Sequence, residues 1–281
     1  MNVPGAVLHV LLFMVCTPTL AAKFSSPIPH LEASLAASTA HSTVVALCCD
    51  DDCVILVSRS PKQDTLSALL PPRIEADLME RYGLTVCAGT AAKKWHQWTP
   101  TTLGTMTGFA ADSQHLLGVV RRQVESHQTL YTEPQPIAKT VRTLATLMRR
   151  TAQREGSRPF GVSALLVGYV PGGWQTYTVD PTGSWSVAAA IGRHADKVQE
   201  ELSNKPRTGK ETTSISAKEG LELAIAAILK GAAKANEQID SDSYEAHLVW
   251  MDSNKTCCQI SRITSASVRD CYESCLKQIS N

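Results

Sequence analysis

Apolar residues in this 281-residue chain fall into short continuous runs in some stretches and into helical spacing in others, and the two kinds of segment come in blocks. "STVVALCCDDDCVILVSRS" (42–60) holds two β-branched runs around an Asp-rich turn. Runs with so few polar positions predict strands buried on both faces. After a Pro-Pro break at 71–72, "RIEADL", "GLTVCAG" (83–89) and "TTLGTMTG" (101–108) are expected as further short strands. The polar, aromatic stretch between the last two, about 89–101, is expected as an inserted loop. Two helices follow. Residues 111–131 set Leu116, Val119, Val120 and Val124 on one face, with Asp112 suited to the N-terminus; 136–155 start on Pro136 and align Ile137, Val141, Leu144, Ala145 and Met148. Strands are expected at 162–169, 174–179 and 184–190, divided by Gly172-Gly173 and by Pro181-Thr182-Gly183. A helix at about 192–204, a polar loop, and a helix at 216–234 come next. Ser216 and Glu219 form a capping-box pair at the start of the last. Strands at 246–252 and 257–263 and a helix at about 265–279 complete the chain.

Strands, two helices, strands, two helices, strands, helix: a singly alternating parallel fold would not group this way. The order predicts two sheets packed face to face with helices outside, a four-layer αββα sandwich of the α+β type, as one domain over 24–281. A hydrophobic content of 43% suits a sizeable core. A net charge of +1 and 5% aromatic residues argue against nucleic-acid binding. The nine cysteines include no C-x-x-C pair and the eight histidines show no ligand spacing, so no metal site is expected and the cysteines read as reduced thiols. No G-x-G-x-x-G, P-loop or G-x-S-x-G is present, and no cofactor is expected. Residues 7–22 are apolar and end in small residues, as in a secretory signal, but lack a positively charged start and are short for a membrane span. Residues 1–23 are therefore set apart as an apolar leader, and no membrane contact is expected.

"RPFGVSALLVGY" (158–169) resembles the Arg-Pro-(Phe/Tyr)-Gly-Val that precedes a buried strand in α-type subunits of the 20S proteasome. "VDPTGSW" (179–185) resembles that family's Asp-Pro-Ser-Gly turn, and "LYTEPQPIAKTVRTLATLMRR" (130–150) resembles the helix start of its α-type 2 subunits. "FSSPIPHLEASLAAS" (24–38) looks like a worn α N-terminal segment; Glu32, Ala33, Ser34 and Leu35 stand where its helix starts, without the family's tyrosine. The resemblance implies an N-terminal-nucleophile hydrolase fold in a non-catalytic ring subunit. Such a subunit scaffolds the barrel and gates admission of unfolded protein, for ubiquitin-dependent and -independent degradation, in cytoplasm and nucleus. Other α and β subunits and activator particles would be its partners. It makes the segment around Leu31, Glu32 and Leu35 the ring-contact and gate element. Arg73, in "PPRIE", takes the place of the lysine that receives an activator tail; arginine keeps the charge and can bind a carboxylate bidentately. Arg158, Pro159, Phe160, Gly161, Asp180, Pro181 and Gly183 are implied structural residues.

Two other readings stand beside this one. "LGTMTGFAAD" (103–112) resembles certain β subunits, and Gly104-Thr105 forms the Gly-Thr pair whose cleavage frees a nucleophile. Counting from "VSRS", however, Val57 stands where the β pattern places aspartate, His41 about where it places the nucleophile, and Arg73 about where it places lysine. An uncharged Val57 cannot polarise an amine, so no catalytic residue is expected. The remaining reading is a secreted or tethered relative with a binding role, which would use the apolar leader and the sequon at Asn254.

Overall fold

The computed structural model describes residues 29–49, 52–59, 72–87, 94–154, 157–204, 215–235 and 244–280; the apolar leader 1–23 lies outside them. The continuous apolar runs at 44–59 become β1 (Val44–Cys49) and β2 (Cys53–Arg59), central in a six-stranded sheet. Around them lie β3 (Val86–Cys87), β9 (Ala190–Ile191), β10 (Tyr244–Met251) and β11 (Cys258–Ile263), in the order β3-β11-β10-β2-β1-β9. β4 (His96–Thr99), β5 (Thr102–Gly108), β6 (Val162–Val170), β7 (Gly173–Val179) and β8 (Trp185–Ser186) make a second sheet in sequence order. Every pairing among the described residues is antiparallel.

The helices are α1 (Pro29–Ala40), α2 (Pro72–Tyr82), α3 (Ala110–Tyr131), α4 (Ile137–Gln153), α5 (Ala195–Asn204), α6 (Ala217–Ala233) and α7 (Ser265–Ser280). Strand alternation sorts the side chains into three cores. Val54 and Leu56 of β2 meet Leu103 of β5 and Leu165 and Val167 of β6 between the sheets. Ile55 and Val57 point the other way, into the core made with α6 and α7. Leu166 of β6 packs under α3 and α4 with Leu116, Leu144 and Met148. The four layers αββα are thus built as the grouping of elements predicts. The Ser216–Glu219 capping box forms at α6: Glu219 N–H donates to Ser216 Oγ at 3.3 Å, and Ser216 N–H donates to Glu219 Oε2 at 3.1 Å.

Three local expectations are corrected. "RIEADL" is not a strand; it lies in α2, where Pro72 opens the first turn and Leu78 and Tyr82, one turn apart, are buried. The six-residue window was too short to display that spacing. The stretch 89–101 is not wholly a loop. Residues 96–99 are β4, and Trp95 and Trp98, an odd number of residues apart, enter opposite faces of the second sheet. The expected strand 184–190 is two short strands: Trp185–Ser186 extends the second sheet beside β7, and Ala190–Ile191 joins the first sheet beside β1. The segment between them crosses from sheet to sheet.

Candidate functional site: the platform under helix α1

The Arg-Pro-Phe-Gly stretch is a junction. Pro159 and Gly161 are buried just ahead of β6. Arg158 forks onto Asp112 of α3, with its guanidinium nitrogens 2.6 and 2.9 Å from Oδ1 and Oδ2. The Gly161 N–H donates to the same carboxylate at 3.0 Å. Burial alone would raise the Asp112 carboxyl, but these hydrogen bonds and the Arg158 charge outweigh it and hold it below the usual carboxylate range. Asp112 also lies in the first turn of α3, where backbone N–H groups favour a negative charge. Phe160 stacks near His115, with ring centres 5.9 Å apart.

Helix α1 rests on this junction and lies against β5 and β6. Ser34 Oγ donates to the Pro159 carbonyl at 3.2 Å, and Thr107 Oγ1 of β5 donates to the Ser38 carbonyl at 3.4 Å. Gly161 leaves room for the approach: a Cβ there would stand 2.5 Å from Phe109 Cδ2 and 3.3 Å from Ala37 Cβ. The far end is clamped by Arg193. Its guanidinium donates to the Ala40 carbonyl at 2.7 Å, its N–H donates to the His41 carbonyl at 3.0 Å, and its own carbonyl accepts from Thr43 Oγ1 at 2.7 Å. Lys94 Nζ donates to Ser42 Oγ at 3.0 Å; burial lowers the Lys94 ammonium below the usual lysine range, against the nearby Glu245 charge.

The sequence-derived site residues separate into distinct places. Leu31, Glu32 and Leu35 all lie on α1, but the buried side of that helix is Ser34 and Ser38; Leu31 and Leu35 are half-buried and Glu32 is exposed. Asp180, Pro181 and Gly183 form a separate turn against α4. The Asp180 carboxylate accepts from the N–H groups of Thr182 and Ser184, at 2.9 and 3.0 Å, and Arg149 donates to the Gly183 carbonyl at 2.9 Å. Arg73 belongs to the first turn of α2, and its side chain lies outside the described residues. Arg193 and Thr107 escape the sequence reading, and Ser34 and Ser38, though inside the segment it singles out, carry no mark of their contacts, because no local pattern records a partner 69 to 153 positions away.

Thr105, Val57 and His41, weighed above against the β-type catalytic pattern, lie in different parts of the fold. Thr105 is an interior residue of β5, opposite Leu165, fully buried, and its hydroxyl has no hydrogen-bond partner among the described residues. Val57 is fully buried between Val45 and Ala246. His41 is exposed, and Thr43 is tied to the Arg193 carbonyl.

Two antiparallel sheets stacked between helix layers, with a further helix pinned across β5 and β6, define an αββα sandwich of the kind to which the proteasome fold belongs. The chain is a member of the proteasome subunit family: the family's sequence profile, described as "Proteasome subunit", matches residues 76–246. Curated relatives include α-type subunits. "Proteasome subunit alpha type-2-B" of Arabidopsis thaliana is 35% identical over 144 residues, covering 48% of this chain and 61% of the relative. "Proteasome subunit alpha type-2" of Oryza sativa is 33% identical over 147 residues, covering 49% and 62%. "Proteasome subunit alpha type-8" of Mus musculus is 33% identical over 136 residues, covering 47% and 53%. The matched region thus spans about three-fifths or less of these relatives' length.

Proposed function

We propose that this chain is a non-catalytic α-ring subunit of a 20S-type proteasome core, which scaffolds the barrel and helps to gate admission of unfolded protein. The observation that carries the reading is α1 held at its middle, where Ser34 meets the Pro159 carbonyl, and at its C-terminal end by Arg193, with its outer side exposed. A helix fixed in this way is a rigid element on which a neighbouring subunit can dock and from which the preceding chain can be aimed. Burial of Thr105 within a strand and of Val57 within the core supports a role without peptide-bond chemistry. Arg73 remains the proposed acceptor of an activator's terminal carboxylate, and cytoplasm and nucleus the proposed locations. Among the described residues no helix is long and apolar enough to cross a membrane.

Affinity purification of the full chain from its native host, followed by native mass spectrometry, tests the assignment. Co-purification with other α and β subunits in a barrel-sized particle is expected. A well-behaved monomer free of other subunits would overturn it, and so would a mature chain beginning at Thr43 or Thr105.

A further inference from the structure

Cys257 and Cys258 are neighbours in sequence, yet both sulfurs lie beside the same donor. Gln97 Nε2 is 3.5 Å from Cys257 Sγ and 3.4 Å from Cys258 Sγ. In an extended strand consecutive side chains leave on opposite faces, which keeps adjacent thiols apart. The chain contains that ordinary case as well. In β1, Cys49 packs into the outer core, against Gly220 of α6, while Cys48 packs against the core between the sheets.

The backbone explains the difference. Cys258 is the first residue of β11, and Cys257 still belongs to the turn before it. The Asp252 carboxylate gathers the N–H groups of Thr256 and Cys257, at 2.6 and 3.1 Å, and holds that turn closed. Peptide 257–258 therefore presents both sulfurs to one side. Cys257 is half-exposed and Cys258 is buried.

We propose that Cys257 and Cys258 form a thiol-modification site, which closes to an intramolecular disulfide by exchange with a low-molecular-weight disulfide such as oxidised glutathione. The more accessible Cys257 reacts first. As a thiolate it attacks one sulfur of the glutathione disulfide, that bond breaks, and one glutathione leaves and takes up a proton. Cys258 then gives up its proton and attacks the Cys257 sulfur of the mixed disulfide, expelling the second glutathione. Two protein thiols are oxidised by two electrons, and one glutathione disulfide is reduced to two glutathione molecules. Burial pushes the Cys258 thiol up to about 12, so it waits protonated and acts second. A ring through adjacent residues departs from relaxed disulfide geometry, since consecutive α-carbons are closer than disulfide-linked ones usually are, and such bonds are the reducible kind.

The location gives the bond a structural readout. Gln97 is on β4 of the second sheet, whereas Cys258 is on β11 of the first. Cys258 N–H donates to the Pro100 carbonyl at 2.7 Å, and Gln97 Nε2 reaches that carbonyl at 3.3 Å. Closing the ring ties up both sulfurs beside Gln97, at a point where the two sheets are stitched together. This inference does not depend on ring assembly.

The test is to incubate the purified full chain with oxidised glutathione, trap remaining thiols with an alkylating agent in denaturant, and map a non-reducing digest by mass spectrometry. The expected peptide carrying Cys257 and Cys258 is unalkylated, lighter by two hydrogens, and restored by dithiothreitol, while Cys48 and Cys49 are recovered as separate alkylated thiols. In Cys258→Ser, which keeps the size of the side chain, Cys257 should retain a glutathionyl group that the unmodified sequence does not accumulate. Persistence of a mixed disulfide at Cys257 in the unmodified sequence would overturn the proposal. Linkage of either residue to a different cysteine, or survival of both thiols, would do the same.

Discussion

Leucine in place of His247 should flatten the acid side of the protein's stability profile. His247 sits on β10 between Leu56 of β2 and Arg262 of β11, with 2% of its surface exposed, and neither ring nitrogen has a hydrogen-bond partner among the described residues. The charged groups beside it are Glu245, whose Oε1 is 4.0 Å from Nε2, and Arg262, whose Nε is 3.4 Å from that same oxygen. Burial, then the Arg262 charge, lowers the imidazole from 6.5 to about 4. The unfolded chain therefore binds this proton at a higher pH than the folded one, and stability falls as pH drops below about 6.5 until the folded histidine also protonates near 4. That difference corresponds to about 3 kcal/mol over the whole window, of which about 2 kcal/mol is lost by pH 5. Urea unfolding of the purified chain and of His247→Leu, from pH 7.5 to pH 5, reads the effect. Burial also lowers His96 in the same window, so the quantity to follow is the gap between the two profiles. The leucine variant should gain about 2 kcal/mol on the parent between pH 7 and pH 5. Parallel profiles would refute the reasoning, since they would mean that His247 is hydrated or paired in the folded state.

Asp112→Ala should destabilise the chain by about 2–3 kcal/mol, because it strands both the Arg158 guanidinium and the Gly161 N–H. Arg158→Ala should cost only about 1 kcal/mol, since 57% of its side chain is exposed and screened; chemical denaturation compares the two. The Asp112 contribution is present above the ordinary carboxylate range and is lost as pH falls through its lowered folded value, so the gap between Asp112→Ala and the parent should close in acid. Gly183→Ala should lower thermal stability by more than about 2 kcal/mol, because φ is +75° and the new Cβ would overlap the Ala145 carbonyl and Arg149. Thr105→Val, which removes a buried hydroxyl without a partner, should leave stability unchanged or raise it by up to about 1 kcal/mol, measured by urea midpoint.

Much of the architecture is local information. The apolar runs of β1 and β2, the helical stripes of α3 and α4 and the Ser216–Glu219 cap each lie within a few residues, and the sequence by itself determines them. Their grouping is enough to require two sheets between helix layers, because each apolar face needs another to cover it. Tertiary structure decided what depends on distant partners. Residues 73–78 became helix because Leu78 and Tyr82 could pack against the sheet that holds β10. Residues 184–191 split because each half found a different sheet edge. The platform under α1 joins Ser34 to Pro159, Arg158 to Asp112 and Arg193 to Ala40 across separations of 125, 46 and 153 residues. No periodicity records such pairs, because a hydroxyl or guanidinium suits many partners equally well, and only the closed fold selects one.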